Sequence, residues 1–80
     1  MKIVEVVWVD AQSSISSMDT ESAKEYFHPQ RTSSVGMLIY ESDEILLLAF
    51  AKVNNGTYKH WQSIPKGSIK SQKTIKEIKL

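Results

Sequence analysis

At 80 residues the chain has room for one domain with a single thin core. Apolar burial at about 25 cal/mol per Å² set against about 1.5 kcal/mol of ordering cost per residue leaves such a chain near zero. With no cysteine, disulfides and cysteine-ligated zinc are excluded as staples, so a homo-oligomer is the expected remedy. The formal net charge of +1 hides an asymmetry: residues 1–44 hold three cations against eight acids, and residues 45–80 hold seven lysines against Glu77 alone. Such a split suits an anionic ligand near the basic half, or two halves that face one another.

In chain order, Ile3-Val4-Glu5-Val6-Val7-Trp8-Val9-Asp10 is rich in β-branched residues and predicts an opening strand. Trp8 reads as a core or barrel-end residue whose ring nitrogen needs a partner, with ligand stacking as the lesser alternative. Residues 11–17 form a serine-rich loop, with Asp10 as its cap rather than a general base. Asp19 is the expected N-cap of a short helix over Thr20–Phe27, and His28-Pro29 ends it. Gln30–Glu41 predicts a second strand, in which Gly36 marks a bulge or sharp bend.

The stretch Glu44–Lys52 is fenced by charge and has no polar residue inside. As a strand it is apolar on both faces, with Ile45, Leu47, Ala49 and Ala51 opposing Leu46, Leu48 and Phe50, so it is expected at the centre of the sheet. One face belongs to the interior; the helix or another subunit must cover the other. Asn54-Asn55-Gly56 signals a hairpin, and Thr57–Ile64 a further strand with aromatics on both faces. Ile64-Pro65-Lys66-Gly67-Ser68-Ile69 predicts a tight corner, with positive φ available at Gly67. The tail from Lys70 fits a strand period and a helical one; a short strand beside the first is the preferred reading. No repeat or second domain is evident, so residues 1–80 form one unit.

The motifs Val6-Val7-Trp8-Val9-Asp10-Ala11, Ser34-Val35-Gly36-Met37-Leu38 and Ile64-Pro65-Lys66-Gly67-Ser68-Ile69 together resemble a group of short bacteriophage and prophage proteins. Their pattern is Val-x-Trp-x-Asp-Ala, Ser-x-Gly-x-Leu and Ile-Pro-Lys-Gly-x-Ile. The resemblance implies a phage origin and a small SH3-like or Sm-like β-barrel of about five strands, with one short helix after the first. Met37 departs from it where an aromatic is common, and the tail runs longer through Lys73 and Thr74.

Enzyme signatures are missing. Gly36, Gly56 and Gly67 are too dispersed for a phosphate loop, and His28 and His60 have no metal-ligand spacing. The expectation is a non-enzymatic protein with no cofactor. Its ligand is an anionic nucleotide: a host immune signalling nucleotide held in an anti-defence role, or a short single-stranded nucleic acid. Stacking falls to Tyr58 and Trp61, phosphate contact to Arg31, Lys59 and Lys66, and a hydrogen bond to Ser68; for Trp61, burial against the helix or a neighbouring subunit is the competing and slightly favoured reading. The alternative is a protein-interaction module that takes a host or phage protein on an edge strand or an aromatic groove. No apolar run reaches the roughly 20 residues of a membrane helix, and Glu5 comes too early for a signal peptide. A soluble, cytoplasmic protein without a membrane partner is expected.

Overall fold

The computed structural model describes residues 1–10, 17–26 and 30–79. Most of the serine loop and the His28-Pro29 helix stop lie outside these residues. The elements run β1 (Lys2–Asp10), α1 (Thr20–Tyr26), β2 (Gln30–Glu41), β3 (Ile45–Lys52), β4 (Tyr58–Pro65) and β5 (Ile69–Glu77), with a 3-10 turn at Lys66–Ser68. The fold is mainly β: five antiparallel strands form one sheet in the order β4-β3-β2-β1-β5. Among the described residues β4 and β5 share no ladder, so the sheet is not closed.

The middle of the sheet is β2 rather than the apolar β3, which lies between β2 and β4. The tail is strand, paired with β1, and at nine residues it is not short. Two residues of β5, Lys70 and Ile75, have no partner in the β1 ladder, since the register shifts past each of them.

Complete burial on the inner face shows how the sheet is shaped. Val4, Val6, Leu46, Leu48 and Ile64 are fully buried and join one cluster, flanked by Leu38 and Ile69. They come from β1, β3 and β4, yet α1 makes no extensive contact with any strand. A flat sheet without a second layer would leave such side chains wet, so this one coils around its own inner face.

Two positions on β2 permit the coil. A Cβ at Gly36 would lie 3.0 Å from both the Ala49 carbonyl oxygen and the Phe50 ring, so only glycine lets Phe50 cross the strand there. The bulge expected at Gly36 falls instead at Ile39: Leu38 pairs with Leu48 and Tyr40 with Leu47, leaving Ile39 over. Trp8 closes the inner face at the other end, its Nε1 donating to Ser34 Oγ at 3.0 Å.

The turns follow from their side chains. Gly56, at φ 89°, donates its N–H to the Val53 carbonyl, and Asn55 Oδ1 accepts from the Thr57 N–H and hydroxyl. Ser42 Oγ accepts from the Glu44 and Ile45 N–H groups at the β2–β3 turn. Positive φ is not used at Gly67, which lies within the 3-10 turn.

Asp19 caps α1 by accepting the Ser22 N–H at 2.8 Å, and that bond holds its carboxyl below the usual carboxylate range. The helix therefore begins where expected but packs on little. Its place as the cover of the outer face of β3 is not filled, and Ile45 and Leu47 stay half-buried. The radius of gyration, 16.0 Å, exceeds the roughly 12 Å of a compact chain of this length, in keeping with an element that is not folded back.

Candidate outer-face site on strand β4

Strand alternation and the ladders fix what shares the outer face. Trp61 pairs with Ala49, which pairs with Met37; one row along, Ser63 pairs with Leu47, which pairs with Tyr40. Ala49 is buried, while Tyr40 and Trp61 remain 54% and 49% exposed. The patch is apolar at its centre with two aromatic rings standing out of it. Lys59, paired with Ala51, is exposed two residues before Trp61, about 7 Å along the strand.

Tyr58 and Trp61 meet edge to face, with ring centroids 5.8 Å apart and planes at 68°. Residues three apart in an extended strand point to opposite faces. The backbone departs from that rule between them, at His60, whose φ is 59°. Histidine tolerates the left-handed region better than most side chains, yet the conformation costs of order 1–3 kcal/mol and persists only where the surroundings hold it. The ladder on either side, Ala49 with Trp61 and Ala51 with Lys59, supplies that hold.

The six expected site residues do not form one cluster. Tyr58, Lys59 and Trp61 come together at the start of β4. Arg31 is exposed on β2, opposite Val9 and six residues from Met37, which puts it about 20 Å along the strand from the Trp61 row. Lys66 and Ser68 sit in the 3-10 turn beyond the far end of β4. The Lys66 ammonium is ion-paired with Glu41, and its backbone N–H donates to the Glu44 carbonyl at 2.8 Å. Ser68 Oγ donates to the Pro65 carbonyl at 2.8 Å.

This second group braces the fold. The hydrogen bond from Lys66 holds the Glu41 carboxyl below its usual range, helped by the charges of Lys66 and Lys2 and by a bond from Gln72, while partial burial opposes them. Glu41 on β2 is thereby tied to the 3-10 turn after β4, at the mouth of the coil.

Sequence reasoning missed Tyr40 and the conformation of His60. The bulge at Ile39 turns Tyr40 outward, and no local signal in Met37-Leu38-Ile39-Tyr40 marks it. Among the described residues no group of three or more His, Cys, Asp or Glu is placed to hold a metal, and no helix is long and apolar enough to cross a membrane. The chain matches no family model, no curated protein and no solved structure.

Proposed function

We propose that the chain is a non-enzymatic, oligomeric binding protein of the phage type, an SH3-like or Sm-like barrel left open between β4 and β5. Its ligand is an anionic, base-containing molecule held on the β4 side. The observation that carries this reading is Trp61: half its surface is exposed, its ring is met by Tyr58, and Lys59 is exposed two residues before it. A fixed indole loses little freedom on stacking with a base, and an adjacent ammonium offsets a phosphate charge. Capture of a host immune signalling nucleotide in the cytoplasm and binding of a short single strand are two uses of the same chemistry. Arg31, Lys66 and Ser68 lie outside this seat and contribute to it only through long-range charge or through the fold.

The experiment is nucleotide titration of the purified protein, followed by the absorbance ratio of the re-isolated complex and by its mass. Saturable uptake that weakens with added salt and is lost in Trp61→Ala and Lys59→Glu supports the reading. Uptake unaffected by either substitution sinks it. The second reading, a protein partner, is favoured by the aliphatic centre of the patch around Met37 and Leu47. It predicts that Leu47→Lys abolishes partner capture while leaving nucleotide uptake unchanged.

A further inference from the structure

Among the described residues, His60 is the one non-glycine residue with a positive φ, and it stands between Lys59 and Trp61 without shifting the β3–β4 register. The ladder keeps its register across His60 but has no pair at His60 itself, and a left-handed residue there rotates the local peptide planes without inserting a residue. It thereby brings round a side chain that regular alternation would send to the other face. That side chain is Tyr58, whose ring meets Trp61 at 5.8 Å and nearly at right angles. Tyr58 is half-buried, whereas Trp61 is the more exposed of the two. Tyr58 therefore braces Trp61, and the indole is the exposed surface of the pair.

Resting on the ligand reading above, we propose that His60 is a positioning residue. Its left-handed backbone sets Tyr58 against Trp61, and the braced indole seats one base of one nucleotide unit rather than a run of bases. The outer row of β4 fits that size. Trp61 and Ser63 share that row one step of about 7 Å apart, a ring for a base and a hydroxyl for a base edge, and Lys59, exposed two residues before Trp61, is the nearest cation along the strand for a phosphate. On this face the next exposed aromatic, Tyr40, is two strands away, about 10 Å across the sheet with Leu47 between, while the exposed Phe50 of β3 alternates to the other face. The other candidate cations are out of reach: Arg31 lies far along β2, and Lys66 is paired with Glu41.

The two indole N–H resonances separate positioning from binding, because Trp8 reports the core and Trp61 the seat. His60→Gly and His60→Asn accept the left-handed region, so the Trp61 signal should stay in place and the affinity for adenosine monophosphate should change by no more than about twofold. His60→Val should shift the Trp61 signal, leave that of Trp8, and weaken adenosine monophosphate about tenfold. His60→Ala carries the same comparison if the valine variant does not fold.

An unchanged Trp61 signal and affinity in the valine or alanine variant overturn the positioning role. A single-stranded oligothymidylate whose binding falls as much in Tyr40→Ala as in Trp61→Ala overturns the one-base seat. If instead Trp61→Ala leaves adenosine monophosphate binding intact, the ligand reading itself fails, and the Trp61 resonance in the His60 variants still decides whether His60 sets the ring.

Discussion

Trp8 and Trp61 are the same residue used in opposite ways. Trp8, 8% exposed, is enclosed by the inner faces of the coiled sheet and satisfies its ring nitrogen on Ser34. Trp61, 49% exposed, has a tyrosine ring against it at a steep angle and a left-handed neighbour before it. Around Trp8 each local preference agrees: β-branched strand residues, complete burial and a paired polar atom. Around Trp61 the backbone is strained and an aromatic surface stays wet. Exposure alone is shared with Tyr40 and Phe50, but an exposed ring beside the one left-handed non-glycine among the described residues marks where stability has been given up for something else.

The comparison can be broken most decisively from the core. Leu48→Asp buries a carboxylate among Val4, Val6 and Ile64 and should abolish the cooperative melt; a variant that still melts like the parent would mean the inner face is not the core. Trp8→Ala should cost about 3–5 kcal/mol in denaturant unfolding, against less than about 1 kcal/mol for Trp61→Ala, which should lose ligand instead. Equal costs would erase the distinction between the two rings. Gly36→Ala should destabilise by about 1–3 kcal/mol, since the Ala49 carbonyl cannot yield as a flexible side chain could. Ser34→Ala should cost a similar or smaller amount, about 1–2 kcal/mol, by orphaning the Trp8 N–H.

The smallest effect sits at the mouth of the coil. Glu41 has a lowered pKa in the folded chain, so its contribution is complete above the ordinary carboxylate range and is lost as pH falls through the lowered value. With both side chains partly exposed, that contribution is at most about 1 kcal/mol. Glu41→Gln should therefore be slightly less stable than the parent at neutral pH and equal to it in strong acid. An unchanged difference across the acid range would show that the pair does not tie β2 to the 3-10 turn.

Most strand limits were legible because each signal was local. Asp19 before an acidic turn, Asn54-Asn55-Gly56 between apolar runs and the two-faced Glu44–Lys52 stretch each specify their element within a few residues. What stayed hidden depends on distant partners. The bulge is at Ile39 because Leu38 and Tyr40 meet β3 out of step, a matter of ladder register that Gly36 could only suggest. Lys66 read as a phosphate contact because nothing nearby in sequence reveals that Glu41, 25 residues earlier, neutralises it. The aromatic part of the site was legible from Tyr58 and Trp61 themselves; its geometry was not, since no composition rule places positive φ on a histidine.

The unpaired Lys70 and Ile75 of β5 bear on how the molecule behaves among its own copies. A sheet open at both sides offers main-chain donors and acceptors to any passing strand, and repeated end-on addition of that kind builds fibres. Along β5 the two interruptions spoil the straight ladder such growth requires, and Lys70, Lys73 and Lys76, all exposed, make two approaching β5 strands repel. The protection is electrostatic and so conditional: at high salt, or with a polyanion shielding those lysines, the repulsion is screened and only the two interruptions remain to guard the edge.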